Sequence, residues 1–368
     1  MNHPAPPWLP DTRVVMAQLA SGIREYAQQI GSAEPFRLPY PPNLQLSFDK
    51  LTQLSWHQGV APLGSVVELL QLAHEPFGDW PISLAGVDVS ADEALVSWGR
   101  PTTTCEELGA LRGDVEGEMR ENALMRAVMD KTRAADAPGS YVAFRKLLIE
   151  QPAITALALD QQLATAALAL LADELRQAYA AAPPEAVADG MVRTCGGCQG
   201  LRLPLDGGRT WYCDDASCPA PGTAGEEHPA SEGMWWLRRE LRTFITGPGR
   251  AELRIAKAVE RLGVPVALWP DFDTFDLSAF ADRPWVADVK AWRHPARLAS
   301  RLRDRLFAVP ADTGQAFIVI ATEQVKAQPR YLERLHKACP EVRPGQRIIA
   351  VSETDFVRRV AERAEAGT

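Results

Sequence analysis

Three carboxylates and one lysine between residues 248 and 292 have types and spacings that suit phosphodiester hydrolysis: Glu252, Asp276, Asp288 and Lys290. Hard divalent cations such as Mg²⁺ or Mn²⁺ prefer carboxylate oxygens and usually take one or two of them from the protein. A cation held there would activate a water and stabilise charge on the departing oxygen, while the lysine orients that water. The same four residues also fit a structural interpretation, with a surface ion pair at Asp288 and Lys290 and a local cap at Glu252.

A helix is predicted to carry the first of these acids. The apolar spacing of residues 248–263 is typical of an amphipathic helix that opens after Pro248 and Gly249. Glu252 falls on or beside its buried face, where a carboxylate is costly unless it has a partner. We therefore expect a charged or metal partner for Glu252.

Two strands are predicted to carry the remaining residues, one at 264–269 and one at 285–292. Because side chains alternate along a strand, Asp288 and Lys290 would lie on one side of the second strand. Asp276 precedes Asp288 by twelve residues, and a hairpin would return it to the same edge. The four side chains are therefore expected to converge.

A separate cysteine motif predicts a structural metal site. Four of the six cysteines fall within 24 residues: Cys195, Cys198, Cys213 and Cys218. Two cysteine pairs joined by fourteen residues can present four thiolates to one Zn²⁺, and closed sites of this kind are structural. Bound metal would supply folding energy to a segment too small for its own core. Cys105 and Cys339 stand alone and are interpreted as small buried residues.

The pattern of Glu252, Asp276 and Asp288-x-Lys290 resembles the PD-(D/E)xK restriction-endonuclease-like superfamily. More narrowly, LWPDFDTFDL followed by WVADVKAWRHPARLA resembles the restriction-endonuclease-fold protein associated with prokaryotic PIWI-RE (pPIWI-RE) proteins, over residues 235–360. The resemblance implies a metal-dependent nuclease with Asp276, Asp288 and Lys290 in its active site and Glu252 as the acid of its first helix. It also implies a three-gene defence system against invading DNA, with a PIWI-RE protein and a DinG-like helicase as partners.

The sequence departs from the superfamily pattern at one position. Asp276 follows Phe275, whereas the name-giving motif has proline before the acid. Asp271 and Asp273 therefore remain alternatives as the ligand, and the spacing favours Asp276.

The predicted fold is a multidomain α plus α/β chain in three parts. Residues 1–190 are expected to form a mainly helical docking or interaction module, residues 191–222 a Cys₄ zinc ribbon, and residues 235–368 the nuclease-like α/β domain. A flexible linker is expected at 219–232 because of its composition. The helical pieces of the first part are expected to include residues 153–181, and no prediction is made for much of 32–62.

No catalytic constellation is expected in the helical module. Arg145 lies on the predicted helix YVAFRKLLIE, whose apolar side is formed by Tyr141, Phe144, Leu147 and Leu148. The ribbon raises a separate question, since Trp211 and Arg202 would suit nucleic-acid contact or packing against a neighbour equally well.

Four arginines follow the predicted second strand: Arg293, Arg297, Arg301 and Arg305. Three of them are spaced four residues apart on a predicted helix. Such a row could bind a phosphate backbone, and a solvated helix face would have the same pattern.

The charge distribution indicates which part of the chain would bind nucleic acid, and the composition bears on the cellular location. The net charge is −8, but residues 231–368 hold 23 basic against 18 acidic residues, so the basic excess lies where a phosphate backbone would be met. No secretory signal or membrane-spanning stretch is visible, and a cytoplasmic protein is expected.

The leading hypothesis is a metal-dependent DNA endonuclease, with RNA cleavage left open. The alternative is a non-cleaving nucleic-acid-binding or assembly subunit.

Overall fold

The computed structural model describes residues 9–30, 38–97, 99–111, 115–213, 215, 218–220, 222–304 and 306–366. Its helices are α1 (Thr12–Ile30), α2 (Pro42–Gln58), α3 (Val66–Leu72), α4 (Thr103–Leu111), α5 (Val115–Ala134), α6 (Pro138–Glu150), α7 (Ala156–Leu163), α8 (Ala172–Ala178), α9 (Arg239–Leu241), α10 (Gly247–Arg261), α11 (Pro270–Asp273), α12 (Pro295–Asp304), α13 (Thr322–Ala327), α14 (Tyr331–Ala338) and α15 (Glu353–Ala366). Its strands are β1 (Val96–Ser97), β2 (Arg100–Pro101), β3 (Ala153–Thr155), β4 (Tyr179–Ala181), β5 (Val187–Ala188), β6 (Met191–Cys195), β7 (Leu201–Leu205), β8 (Thr210–Cys213), β9 (Ala224–Pro229), β10 (Met234–Leu237), β11 (Val266–Leu268), β12 (Leu277–Ala279), β13 (Trp285–Lys290), β14 (Gln315–Ile320) and β15 (Ile348–Ser352).

The chain forms two compact units. One comprises Met1–Val115 and Trp292–Leu306, and the other comprises Glu116–Ala291 and Phe307–Thr368. The chain contains both helices and sheets, and its N-terminal region is helical. The division into three parts stays a prediction.

The first unit is helical and has its own apolar core. Residues from α1 and α2 make its centre, including Val15, Leu19, Leu44 and Leu51. The two helices approach so closely that a Cβ at Gly22 would lie 2.4 Å from the backbone nitrogen of Leu44. No helix was predicted at α2, because proline and aromatic residues obscure its apolar period.

The second unit contains a five-stranded sheet in the order β11-β12-β13-β14-β15. The first three strands are antiparallel, whereas β13, β14 and β15 run parallel. Helices α10 and α15 share one core with this sheet, which includes Ile255, Ala287, Phe317 and Phe356. The sheet contains one strand, β12, that was not predicted. It is only three residues long, and its sequence has no visible period.

Two predictions on the middle of the chain are wrong. Residues 153–181 do not form a helix throughout, since they begin in β3 and end in β4, which both pair with β10. Residues 219–232 are not simply a linker, because β9 pairs with β6 in the sheet of the cysteine motif. Both strands of the misassigned segment find their partner more than fifty residues away, where local periodicity carries no information.

Gly249 allows the helix that carries Glu252 to pack closely against α6. A Cβ at this glycine would lie 2.3 Å from Cδ1 of Ile149, which is too close for two non-bonded carbon atoms, so one of them would have to move. We expect Gly249→Ala to lower the free energy of unfolding by about 1–3 kcal/mol, as overpacking does in other cores. Chemical denaturation checks this. Gly139→Ala is the matched control, since nothing lies within 4 Å of its Cβ position, and it should leave stability nearly unchanged. Equal effects of the two changes would contradict the close packing.

Within the described part of the chain, no helix has the length and apolar character needed to cross a membrane.

Candidate functional site

Strand β13 presents Asp288 and Lys290 as a directly bonded pair. The alternation along the strand is as predicted: Ala287 and Val289 are buried in the core, and the two charged residues are partly exposed. Lys290 Nζ donates to Asp288 Oδ1 at 2.6 Å, with 28% and 24% of the two side chains exposed. Burial would lower the pKa of Lys290, but the charges of Asp288 and Asp276 raise it above its usual value. The lysine is therefore held as a cation beside the acids.

Asp276 immediately precedes β12 and lies beside β13. Leu277 pairs with Ala287, so the next position of the same register sets Asp276 opposite Asp288. The side chain is fixed there, because its Oδ2 accepts the backbone N–H of Val289 at 2.6 Å. Burial, together with the charges of Glu252 and Asp288, raises the pKa of Asp276 well above its usual value. Crowded buried carboxylates of this kind are stabilised by a bound cation.

Glu252 lies on α10 and is 2% exposed, as its position in the apolar period predicted. It has the charged partner that such a carboxylate needs, since Arg145 Nη2 lies 3.3 Å from its Oε2. The indole Nε1 of Trp269 donates to the same oxygen at 2.5 Å. Burial raises the pKa of Glu252, and both Arg145 and Trp269 partly offset that rise.

Arg145 is the site residue that the sequence analysis missed. It lies on α6, is 4% exposed, and reaches Asp276 Oδ1 with Nη2 at 3.9 Å as well as Glu252. Its guanidinium also stacks over the ring of Trp269, 4.8 Å from the centroid. One signal was available: Arg145 lies at helical spacing from Tyr141 and Leu148, on the apolar stripe, where an arginine requires an acidic partner.

The three acids that were alternatives as the metal ligand differ in their contacts in and after the loop between β11 and β12. Asp271 is exposed, whereas Asp273 forms an ion pair with Nη1 of Arg145 and has 31% of its side chain exposed. Trp269, Asp271, Phe272 and Asp273 all have positive φ, between 49° and 75°. Such backbone is strained for residues other than glycine and is held by its surroundings. The loop therefore holds Asp273 against Arg145, while the strand register sets Asp276 opposite Asp288.

The charges of this acidic site do not balance. We define the acidic site as Glu252, Asp273, Asp276 and Asp288 together with Arg145 and Lys290. With all four carboxylates ionised, they face two cations, which leaves a formal charge of two negative in a partly buried cluster. The donor set therefore fits one divalent ion. The acids are not drawn together as tightly as the cysteines, which form the one group of three or more potential ligands within 4.8 Å of one another among the described residues.

The four cysteines of the ribbon lie within 4.8 Å of one another, sulfur to sulfur. The sulfurs of Cys198 and Cys213 are 3.3 Å apart, and those of Cys195 and Cys218 are 3.6 Å apart. A Cβ at Gly197 would lie 2.9 Å from the sulfur of Cys218, so the turn that brings the sulfurs together requires glycine. This cluster could bind a metal ion such as zinc.

The aromatic residues of the ribbon are engaged within it. Trp211 donates its indole N–H to the Gly208 carbonyl at 2.9 Å, and its ring is covered by the guanidinium of Arg193 at 4.6 Å. Arg202 in turn donates to the Trp211 carbonyl at 2.8 Å. These contacts favour the packing role that was left open for Trp211 and Arg202.

The predicted arginine row does not lie on one exposed face. Arg297 is 2% exposed and donates to Glu107 Oε2 at 2.6 Å and to the Asp88 carbonyl at 2.6 and 2.9 Å. An arginine buried against an acid cannot bind a phosphate backbone without losing that partner. Arg293 is partly exposed and pairs with Glu93 at 2.7 Å. Arg293 and Arg301 therefore remain in the proposed row, Arg297 leaves it, and Arg305 lies outside the described residues.

Within the first unit, Glu93 contacts the segment that follows β13. It accepts from His294 at 3.0 Å, and Arg293 and Arg297 also lie against it. Burial would raise the pKa of Glu93, but the hydrogen bonds from His294 and from the Ser90 backbone lower it to about 2. A carboxyl group whose pKa falls on folding stabilises the protein above its unfolded pKa, and that contribution is lost as the pH falls through the folded value.

We therefore expect Glu93→Gln to destabilise the protein at pH 7, and the difference from wild type to shrink as the pH falls from about 4.5 towards 2. Unfolding free energies of both proteins measured across this range check the prediction. Asp92→Asn, an exposed neighbour, serves as the control and should show no such convergence. A difference that stays constant with pH would contradict the assigned shift.

Two family models match the chain. Residues 249–368 match a family described as REase associating with pPIWI_RE, and residues 15–155 match pPIWI_RE three-gene island domain Y. The first match contains Glu252, Asp276, Asp288 and Lys290, and the second contains Arg145. No curated protein and no solved structure matches the chain.

Proposed function

We propose that the chain is a metal-dependent endonuclease of the PD-(D/E)xK type. The premise is that residues 249–368 match the family described as REase associating with pPIWI_RE and that residues 15–155 match domain Y of the three-gene island. One observation carries the proposal. Glu252 and Asp276 share the guanidinium of Arg145, Asp276 accepts the backbone N–H of Val289 on β13, and Lys290 on the same strand pairs with Asp288. A scaffold has no need for such a cluster, which costs stability without a bound cation.

Each residue has a distinct role in the proposed reaction. Asp276 and Asp288 would hold one Mg²⁺ or Mn²⁺, with Glu252 as the third acid of the site. When bound, such an ion would supply charge stabilisation at the phosphate and activation of a water. Asp276 is kept in place by the Val289 backbone N–H. Lys290, fixed by Asp288, orients the attacking water or neutralises charge on the phosphate.

The cysteine cluster has a structural role in this proposal. Four thiolates closed around one ion leave no position for a substrate, so Cys195, Cys198, Cys213 and Cys218 hold Zn²⁺ as a folding element. Asp215, between the second pair of cysteines, accepts from Arg250 Nη2 on α10 at 2.7 Å. The ribbon thereby supports the helix that carries Glu252.

The proposed substrate is DNA, and the proposed setting is a cytoplasmic defence assembly with a PIWI-RE protein and a DinG-like helicase. The island domain supports association with other proteins of that system. The basic excess of residues 231–368 supports a polyanionic substrate. RNA would be cut by the same chemistry, so the assay must include it.

The experiment uses the full chain, zinc-loaded, with supercoiled plasmid, single-stranded DNA and RNA as substrates. Each is incubated with Mg²⁺, Mn²⁺ or EDTA, first with the protein alone and then with the two co-encoded proteins. Cleavage of DNA that needs the divalent ion supports the proposal, and faster cutting of RNA would reassign the substrate. No cleavage of any substrate under either condition, by protein that binds DNA, would identify a non-cleaving subunit.

A further inference from the structure

The acidic site contains a cation, Arg145, that lies outside the region matched to the REase family. Arg145 comes from α6, outside residues 249–368, and its guanidinium lies against Glu252, Asp273 and Asp276. We propose that Arg145 is a fixed positioning residue that takes the place of a second metal ion, so that the site binds a single divalent cation. This inference rests on the proposed function and deepens it.

The contacts of Arg145 place its positive charge among three acids. Its Nη2 lies 3.3 and 3.5 Å from the two oxygens of Glu252 and 3.9 Å from Asp276. These separations are long for a bidentate arginine–carboxylate pair, which is usually near 2.7–2.9 Å. Its Nη1 is in direct contact with Asp273, so one cation bridges three acids and lowers the repulsion among them, as a metal ion would.

The packing around Arg145 indicates that it is fixed. On the same helix, Tyr141, Phe144 and Leu148 are at most 1% exposed. The Leu148 carbonyl accepts from the buried hydroxyl of Thr246, which immediately precedes α10. The Trp269 ring covers the guanidinium. Withdrawing Arg145 to admit a second ion would disrupt this core, so displacement by a cation is disfavoured.

The charge of the site sets the number of ions. With Arg145 and Lys290 in place, two negative charges remain, which one divalent ion balances. A second divalent ion would leave a net charge of two positive in a buried cluster, at a high cost in solvation. Removing the Arg145 charge leaves three negative charges and frees Glu252 and Asp273, which creates room and charge for a second ion.

The test is the stoichiometry of Mn²⁺ bound to the zinc-loaded full chain, measured by calorimetry and by electron paramagnetic resonance. Wild type is expected to bind one Mn²⁺, and Asp288→Asn should lose it, which assigns the ion to this site. Arg145→Met, with a side chain of similar length and no charge, is expected to bind two and to show coupling between the two ions. Arg145→Lys should bind one.

Lys146→Met is the matched control, because it removes the same charge from the next position of α6, where the structure describes no ion pair with the acids. It should bind one ion. Two ions in wild type would overturn the inference and leave the proposed function standing. One ion bound more tightly by Arg145→Met would also overturn it, since Arg145 would then be a displaceable plug. No Mn²⁺ bound by wild type would overturn the proposed function itself. If Arg145→Met does not fold, wild type and Arg145→Lys still decide, because two ions in either contradict a fixed cation.

Discussion

Replacing Asp288 by asparagine is expected to lower the rate of DNA cleavage about a thousandfold. The change keeps the shape of the side chain and removes the charge that the proposed divalent ion would require. Loss of a charged ligand costs several kcal/mol of charge stabilisation at the phosphate, and about 1.4 kcal/mol corresponds to a factor of ten in rate. Lys290 also loses its 2.6 Å partner. Single-turnover cleavage at saturating Mg²⁺ measures the effect.

Asp282→Asn is the matched control for this experiment. Asp282 is exposed and lies between β12 and β13. Its substitution should leave the cleavage rate within about twofold of wild type. Affinity for DNA should be nearly unchanged in both variants, since phosphate contacts depend on basic groups. A rate for Asp288→Asn close to that of Asp282→Asn would remove Asp288 from the site.

Substituting Cys198 by serine is expected to abolish zinc binding and to unfold the ribbon. A Cys₄ site that loses one thiolate loses much of its affinity, and the metal contributes about 10–16 kcal/mol to folding in small zinc peptides. Strands β6 to β9 have only a small apolar core, formed with Met234 and Trp236 of β10. We expect zinc content to fall from about one per chain to near zero, with loss of amide hydrogen-exchange protection in these strands.

Cys339→Ser provides the control, because Cys339 is buried and lies outside the cluster. It should keep the full zinc content, whatever its cost in stability. Zinc content unchanged in Cys198→Ser would show that the cluster is not the metal site. Zinc lost with exchange protection intact would show that the metal is not a folding element.

Local patterns were enough to predict the parts of the site that depend on one element. The alternation along β13 predicted that Asp288 and Lys290 share a side, and the helical period predicted the burial of Glu252. The cysteine spacing predicted the cluster in the same way, because two tight turns set the positions of all four sulfurs. Each of these inferences uses geometry that a few adjacent residues determine.

Contacts distant in sequence were beyond such reasoning. Arg145 reaches Glu252 across 107 positions, and only the fold brings them together. The helical spacing of Arg297 was recognised, but the side of α12 that becomes buried depends on Glu93 and Glu107, which lie far earlier in the sequence. Strand β9 was obscured for another reason: its residues are mostly exposed, and backbone pairing needs no apolar pattern.

The most direct test of the proposed nuclease site is the cleavage and binding of one DNA by the assembled three-protein system, carrying either wild-type chain or Lys290→Met. Lys290 interacts with Asp288 and contributes no backbone support to the other acids, so the variant should assemble and bind DNA as wild type does. We predict that its cleavage falls about a hundredfold or more, the usual effect of removing one charge-stabilising group. Cleavage at the wild-type rate by the Lys290→Met assembly would contradict the account and assign the cutting activity to another site.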